Sequence, residues 1–139
     1  MTTTPQLQQV DHIHVFVADR AAAEVWYAQV LGLTRVPRFA QWAVDGGPLF
    51  LANATDTVRL ALFQARAAPC RSTIALSASA EQFLAWRTHL ATHLGDSPLR
   101  LEDHALSWSL YFTDPDGNPY EITTYDYLTV AEVVTKGDR

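Results

Sequence analysis

Two histidines stand two residues apart in the first β-prone run of the chain. The run VDHIHVFVA, residues 10–18, alternates in hydrophobicity, which is typical of a strand with one buried face. One face carries Ile13, Val15 and Val17, and the other carries His12, His14 and Phe16. An imidazole can ligate a metal ion or exchange a proton near neutral pH. The histidine face is therefore the first candidate for chemistry.

A carboxylate lies in the middle of a second β-prone segment. Residues 107–126, SWSLYFTDPDGNPYEITTYD, contain two β-rich runs around a turn, and Glu121 is the only carboxylate on its face of the second run. Burying a carboxylate is costly unless a charged or hydrogen-bonding group meets it. Alternation also groups hydroxyl side chains, namely Ser107, Ser109 and Tyr111 on the first run and Thr123 and Tyr125 beside Glu121. We expect this face to contribute to a site.

The turn between these two runs has a strong local signal. In the sequence DPDG at residues 114–117, aspartate bonds the backbone ahead, proline presets φ and glycine closes a type I turn. The two runs are therefore predicted to pair as antiparallel strands.

The elements that follow the histidines predict the order β, α, β, β, β. Asp19 can cap a helix over residues 20–31, and Gly32 can end it. Turn-forming residues then separate three β-prone pieces, at about 35–44, 48–52 and 57–64.

The same order repeats in the second half of the chain. A strand is predicted at 71–78, Ser79 and Gln82 form a capping box, and Gly95 ends the helix; a β piece near 99–101 and the runs at 107–126 follow. We interpret this repeat as an internal duplication. The domain is predicted to span residues 9–126, with module one at about 9–65, module two at about 70–126, and terminal arms at 1–8 and 127–139. In the last arm, Thr129 and Glu132 can start a short helix, and residues 135–139 are expected to fray.

Composition narrows the class of protein. The 139 residues are 48% hydrophobic and 18% charged, which is typical of one soluble globular domain. The formal net charge of −5 and the absence of a basic run argue against a nucleic-acid partner. No apolar segment approaches membrane length, and the first residues do not resemble a signal peptide. Because a single cysteine excludes an internal disulfide, we expect a cytoplasmic protein.

Several of these features together resemble one family. They are the opening D-H-x-H strand, a helix ending in V-L-G-L at residues 30–33, and the closing L-Y-F-x-D-P-D-G-N-x-x-E motif. With the two modules, they resemble the vicinal oxygen chelate superfamily, which includes glyoxalase I, fosfomycin resistance proteins, extradiol dioxygenases and bleomycin resistance proteins. The resemblance implies an α+β fold in which the curled mixed sheets of two βαβββ modules surround a shared cavity, with the helices outside. It also implies a homodimer and a small-molecule ligand.

In the metal-dependent members of this superfamily, a divalent ion in the cavity binds substrate oxygens. Matching the motifs assigns its ligands here to His12 and Glu121, with Fe, Mn, Ni or Zn as the ion and no organic cofactor. The histidine expected on the opening strand of module two falls on Thr73, and a further ligand used by glyoxalase I falls near Ala61. A threonine hydroxyl is a poor substitute for an imidazole, so one expected ligand is missing.

Other histidines bear on this missing ligand. His14 lies about 6.5 to 7 Å further along the strand than His12, so we expect an ion on His12 to be beyond its direct reach unless the strand bulges. His104 lies in the loop before the closing strands, where it can act as an acid, a base or a ligand. With Tyr111, these two histidines are the predicted proton-transfer residues. His89 and His93 are expected to lie on a solvated helix face.

Further residues on these faces are predicted to contact substrate. They are Phe39, Trp42, Arg59, Phe63, Thr73, Ser109, Thr123 and Tyr125. Structural alternatives exist: the aromatic residues, and Trp108 with them, can pack in the core, Glu121 can pair with Arg59, and Tyr111 can reach solvent. Few cations lie on the predicted cavity strands, which favours a weakly charged aromatic or phenolic ligand.

Three hypotheses for function follow. The first is a small-molecule enzyme of the glyoxalase or dioxygenase type, in which the metal ion chelates vicinal oxygens of the substrate. The second is a metal-free protein that sequesters an aromatic compound, as bleomycin resistance proteins do. The third is a structural dimerisation module. The retained His12 and Glu121 favour the first hypothesis, whereas Thr73 favours the second.

Overall fold

The computed structural model describes residues 4–66, 70 and 72–137 of the chain. In this part of the chain, eight strands form two four-stranded sheets. None of the helices in these ranges has the length and apolar character needed to cross a membrane.

Module one is a mixed sheet with a helix after its first strand. Its elements in chain order are β1 (Ile13–Val17), α1 (Arg20–Trp26), β2 (Thr34–Arg35), β3 (Leu49–Ala52) and β4 (Arg59–Gln64). The strands lie in the order β1-β4-β3-β2, with β1 parallel to β4 and the other pairs antiparallel. The Asp19 carboxylate accepts a hydrogen bond from the Ala22 N–H at 3.0 Å, which confirms the predicted helix cap.

Two segments of module one differ from the prediction. The strand predicted at 35–44 is wrong, because β2 ends at Arg35 and Pro37–Trp42 forms a 3₁₀ helix. Proline has no N–H for a sheet, and its fixed φ suits the first turn of a helix. The helix predicted at 20–31 is α-helical only to Trp26 and continues as a π-helical turn, Tyr27–Leu31, before Gly32 at a φ of 67°.

Module two repeats the topology of module one. Its elements are β5 (Ile74–Ser77), α2 (Ala80–His93), β6 (Arg100–Asp103), β7 (Trp108–Thr113) and β8 (Pro119–Thr124). The sheet order is β5-β8-β7-β6, with β5 parallel to β8. Ser79 caps α2, and the Gly117 N–H donates to the Asp114 carbonyl at 3.0 Å across the predicted turn. The α+β fold with two βαβββ modules is confirmed, and both sheets are open. In the strand predicted at 71–78, Arg71 lies outside the described residues.

One hydrophobic core extends through both modules. It contains the inward residues of β1, Val15 and Val17, together with Leu110 of β7 and Ile122 of β8. Side chains alternate along a strand, so His14 of β1 and the hydroxyls of β7 and β8 lie on the faces of the two sheets opposite to this core, and His12, just before β1, follows the same alternation. Each sheet therefore keeps one face that the core does not use.

A third helix ends the described chain. The helix α3 (Tyr127–Gly137) is longer than the short helix predicted here. Its Val130 and Val134, four residues apart, are buried in the core. The Trp108 Nε1–H also donates to the Tyr127 carbonyl at 3.2 Å. The expectation that the chain frays from residue 135 is therefore wrong as far as residue 137, because an apolar stripe holds the helix.

A buried carboxylate at the β7–β8 turn joins the two modules. Asp114 is 3% exposed. Its Oδ1 accepts hydrogen bonds from the backbone N–H groups of Asp116 and Asn118, each at 2.9 Å. Its Oδ2 accepts from Tyr27 Oη at 2.7 Å and from Asn118 Nδ2 at 2.8 Å. Because Tyr27 belongs to module one, this carboxylate attaches the end of α1 to the turn of module two.

The tyrosines around this carboxylate remain protonated. Tyr27 Oη lies 2.8 Å from Tyr120 Oη, and both side chains are fully buried. Burial raises the pKa of each hydroxyl well above its usual value, and the nearby Asp114 charge acts in the same direction. Both hydroxyls can therefore donate hydrogen bonds within this cluster.

We expect Tyr27→Phe to lower the free energy of unfolding by about 1.5 to 3 kcal/mol, because the lost hydrogen bond ends on a charged, buried acceptor. Urea denaturation measures this change. Tyr125→Phe is the matched control, since Tyr125 is 77% exposed. Equal stabilities for the two variants would show that Asp114 does not depend on the Tyr27 hydroxyl.

Candidate functional site

The outer face of module one combines two histidines with a group of aromatic rings. On β4, Ala61 lies opposite His14, and Phe63 lies opposite Phe16. On β3, Phe50 lies opposite Ala61. The 3₁₀ helix adds two further rings. Together, these side chains form the aromatic face, which consists of Phe16, Phe39, Trp42, Phe50 and Phe63.

The rings of the aromatic face contact one another and the histidines. Phe39 and Trp42 stack with centroids 4.6 Å apart and planes 7° apart. Residues three apart in a 3₁₀ helix eclipse each other, which explains this stacking and would not occur in the predicted strand. Both rings contact Phe50, which contacts the His12 ring at 5.0 Å. Trp42 is 44% exposed, so the open end of the face can receive another ring.

The two histidines of module one converge at their tips. His12 Nε2 lies 3.1 Å from His14 Nε2, and the rings stack with centroids 5.1 Å apart. The prediction that His14 is beyond reach of a group bound at His12 is therefore wrong. Strand rise measures the spacing of backbone positions, whereas two long side chains on the same face can lean toward each other. Their nitrogens meet without a bulge.

Asp11 connects the histidine pair to a charged cluster. His12 Nδ1 lies 2.7 Å from Asp11 Oδ2, and Arg59 Nη1 donates to Asp11 Oδ1 at 3.1 Å. Arg59 also donates to both carboxylate oxygens of Asp56, each at 2.7 Å. The hydrogen bond with His12 is the main cause that lowers the pKa of Asp11, and Arg59 lowers the pKa of Asp56 to about 2. Arg59, a predicted substrate contact, is thus engaged with two carboxylates.

Module two presents its carboxylate among hydroxyls, as the alternation predicts. Strand register pairs Ser109 with Thr123 and Tyr111 with Glu121. Ser109 is fully buried, and its Oγ–H donates to Glu121 Oε2 at 2.7 Å. Thr123 Oγ1 lies 3.2 Å from Ser109 Oγ and donates to the Trp108 carbonyl. A hydroxyl therefore satisfies Glu121, and the alternative ion pair with Arg59 does not form.

A second possible acid–base pair borders this carboxylate. His104 Nε2 lies 3.0 Å from Tyr111 Oη, and the Arg100 guanidinium lies over the Tyr111 ring at 4.8 Å. The loop that carries His104 is held by a hydrogen bond from the His104 N–H to the Ser107 carbonyl at 2.9 Å. Two of the three predicted proton-transfer residues are thus in contact, and the third, His14, lies in module one.

The remaining residues that were predicted to contact substrate or to pack in the core lie in different parts of the structure. Thr73, Arg100 and Tyr111 line an open cavity of about 460 Å³. Tyr125 is 77% exposed beyond the end of β8. Trp108 is 5% exposed in the core, as the structural alternative predicted. The roles of Thr73 and Tyr125 in substrate binding stay predictions.

The residues fit a divalent metal ion only in part. His12 fits, because a metal-ligating histidine commonly donates its other ring N–H to a carboxylate, and Asp11 stands at that position. Glu121 fits as an oxygen donor oriented by Ser109. Thr73 and Ala61 supply neither imidazole nor carboxylate. Within the described ranges, no three or more His, Cys, Asp or Glu side chains form a group that could hold a metal ion.

The histidines of α2 have other partners. His89 Nε2 lies 2.8 Å from the Val30 carbonyl, and His93 Nδ1 lies 2.9 Å from the His89 carbonyl. His93 is exposed, as predicted, but His89 is half-buried and links α2 to the π-helical turn of module one. One nitrogen of each ring is therefore hydrogen-bonded to a backbone carbonyl.

Two parts of the site were missed by the sequence reasoning. One is Asp11, whose position next to His12 in the sequence is the signal for their hydrogen bond. Phe50 was not assigned to a face, because β3 is apolar on both sides and all four of its residues are buried. A continuous apolar run has no alternation from which to read direction.

Comparison with known proteins gives a family match and several structural neighbours. A family model described as the Glyoxalase/Bleomycin resistance protein/Dioxygenase superfamily matches residues 9–122. The fosfomycin resistance protein FosX from Listeria monocytogenes, solved with Mn(II) and sulfate, has 14% identity and a TM-score of 0.65, covering 93% of this chain and 99% of that one. Lactoylglutathione lyase from Agrobacterium tumefaciens has 20% identity and a TM-score of 0.66, with coverages of 86% and 95%.

A further FosX, from Mesorhizobium loti, has 18% identity and a TM-score of 0.64, covering 86% of this chain and 93% of that one. At these identities, the likeness to the three solved structures concerns the fold.

We expect His12→Ala to raise the pKa of the Asp11 carboxyl toward its ordinary value, because the hydrogen bond with His12 is the main cause of its lowered pKa. A carbon-13 NMR titration of the aspartate carboxyls measures it. His104→Ala is the control, since His104 contacts Tyr111 instead. If Asp11 titrates identically in all three proteins, the Asp11–His12 hydrogen bond does not persist in solution.

Proposed function

The chain belongs to the Glyoxalase/Bleomycin resistance protein/Dioxygenase superfamily, and on this premise we propose that it is an enzyme that uses a divalent metal ion to act on a small aromatic substrate. The proposed ligands are His12 and Glu121, with Fe, Mn, Ni or Zn as the ion. The single observation that carries the proposal is the 2.7 Å contact between His12 Nδ1 and Asp11, which favours the tautomer with a free lone pair on Nε2. A bound ion would polarise vicinal oxygens of the substrate.

The aromatic face is the proposed binding surface for the substrate ring. Phe39 and Trp42 present parallel rings, and Trp42 is the more exposed of the two. Offset stacking of one more ring contributes about 0.5 to 1.5 kcal/mol beyond the apolar area that it buries. The His12 ring contacts Phe50 within the same group, so a ring held on this face lies close to the histidine pair.

The charges around this face favour a substrate without strong negative charge. Arg59 is bound by Asp56 and Asp11, and Arg38 lies 3.5 Å from Asp56 and over the Phe39 ring. Each guanidinium therefore already meets a carboxylate. A phosphonate or a carboxylate ligand would have to compete with these contacts, whereas a phenol would not.

Proton transfer is proposed for His104 and Tyr111. The 3.0 Å contact between His104 Nε2 and Tyr111 Oη lets the imidazole orient the phenol or accept its proton. Tyr111 lies opposite Glu121 on β8, so a substrate oxygen near the carboxylate is also near the phenol. His14 is assigned no proton-transfer step in this scheme.

A homodimer is proposed to complete the site. No group of three metal-binding side chains occurs within the described part of one chain, so Glu121 does not lie together with both His12 and His14. A second copy of the chain would bring its own Glu121 to the histidines of the first. The small-molecule ligand would then bind in a cavity formed between the two chains of the dimer.

Metal-free sequestration of an aromatic compound is the second candidate function. Two observations favour it: Thr73 offers only a hydroxyl where an imidazole is expected, and the aromatic face can hold a flat ligand without an ion. Binding without turnover, and without metal, would distinguish it from the enzyme.

We expect catechols and other phenols to raise the melting temperature of the protein in a thermal-shift screen. Phosphonates and anionic thiols should have no effect, because the guanidinium groups of Arg38 and Arg59 already contact the Asp56 carboxylate. Trp42→Ala should weaken binding of a phenol about tenfold, which corresponds to roughly 1.4 kcal/mol. Leu128→Ala is the control, since Leu128 is exposed on α3. Stabilisation by the anions alone would contradict the proposed substrate class.

We expect His12→Ala and Glu121→Ala each to abolish stoichiometric metal binding, and their co-expressed heterodimer to recover one intact site. A site made from two copies predicts this recovery, because the wild-type histidine of one chain meets the wild-type carboxylate of the other. Metal content of the purified, doubly tagged heterodimer measures it. A heterodimer without metal would show that each site lies within a single chain.

A further inference from the structure

His12, directly before β1, and His14, on β1, form a pair of which only His12 is assigned above as a metal ligand. We propose that His14 is itself a metal ligand and replaces the imidazole that Thr73 does not supply. His12 and His14 would then bind one ion through their Nε2 atoms. The inference rests on the proposed function, since that function places the ion on His12.

The distance between the two nitrogens fits one shared ion. A zinc ion binds imidazole nitrogen at about 2.0 to 2.1 Å, so two such nitrogens lie about 3.3 Å apart at a tetrahedral angle and about 2.9 Å apart at a right angle. The separation of His12 Nε2 and His14 Nε2 is 3.1 Å, between these two values. The two side chains would therefore need to move little when an ion binds.

The surroundings hold both rings in this arrangement. The Asp11 carboxylate meets His12 at Nδ1, which leaves Nε2 as the ligating nitrogen. The His12 ring contacts Phe50 at 5.0 Å, and the His14 ring contacts Phe63 at 4.8 Å. Aromatic neighbours on both sides restrict rotation of the imidazoles, which reduces the entropy lost when an ion binds.

The position of the pair leaves room for other ligands. The His12 side chain is 32% exposed, and His14 is exposed. Asp11 is already committed to His12 and Arg59. Two imidazoles from one strand therefore form half of a coordination sphere, and its remaining positions face outward, where substrate oxygens and the carboxylate of a second chain can approach.

An N–H···N hydrogen bond is the competing explanation for the 3.1 Å contact. In that case, the two rings share a proton and only His12 has a metal-binding role. The other histidine pair of the chain, His89 and His93, provides a comparison, because each of those rings has a backbone carbonyl partner. His93→Ala is therefore a matched control for removing an exposed imidazole.

The test is a calorimetric titration of Zn(II) into the wild-type protein and into His12→Ala, His14→Ala and His93→Ala. We expect His14→Ala and His12→Ala each to weaken zinc binding about 100-fold, because each variant leaves a single imidazole. His93→Ala should bind as the wild type does. Circular dichroism and urea denaturation confirm that all four proteins are folded.

Long-range ¹H–¹⁵N spectra distinguish a ligand from a positioning residue. In the wild-type protein with one equivalent of Zn(II), we expect the Nε2 resonances of both His12 and His14 to shift. A shift confined to His12 would overturn the inference, even if His14→Ala weakened binding.

The variants also separate this inference from the proposed function. If His12→Ala loses zinc and His14→Ala keeps wild-type affinity, the role of His14 is wrong and the metal role of His12 stands. If the wild-type protein binds none of Zn(II), Fe(II), Mn(II) and Ni(II), or if His12→Ala binds zinc normally, both are wrong. Loss in both variants with two shifted Nε2 resonances supports both.

Discussion

The fold depends on how one buried carboxylate is satisfied. Asp114 is removed from water at the β7–β8 turn, which is unfavourable unless hydrogen bonds replace its hydration. Four donors do so, and they come from the turn itself and from Tyr27 of module one. The local requirement of a tight turn and the long-range requirement of module packing are thus met by the same two oxygens. Packing of the two modules against each other determines which face of each sheet lies in the core and which face lies outside it.

The faces outside the core carry different functional groups in the two modules. Module one offers imidazoles and aromatic rings, with Asp11 and Arg59 setting the orientation of His12. Module two offers Glu121 among hydroxyls, bordered by His104 and Tyr111. Within each module, the site residues hydrogen-bond to neighbours from the same module. Arg59 is paired with Asp11 and Asp56, whereas Glu121 is satisfied by the Ser109 hydroxyl.

Much of this arrangement could be predicted from alternation and turn chemistry. The faces of β1, β7 and β8, the helix caps at Asp19 and Ser79, and the turn at Asp114 all depend on neighbours in sequence. The failures have long-range or three-dimensional causes. The piece at 35–44 is β-prone in sequence, but Pro37 and the stacking of Phe39 on Trp42 favour a 3₁₀ helix. The meeting of His12 and His14 depends on side-chain direction, which the spacing of backbone positions does not give.

The turn of module two has one more effect, on the edge of the first sheet. β1 is an edge strand, and an unpaired strand edge is a template on which other chains can add strands and aggregate. Asn118 Nδ2 donates to the Phe16 carbonyl at 3.1 Å, and Asp116 Oδ1 accepts from the Ala18 N–H at 3.1 Å. Two side chains thus occupy backbone groups that a foreign strand would use. The sequence D-P-D-G-N therefore shapes a turn and, in the folded protein, also blocks part of the free edge of β1.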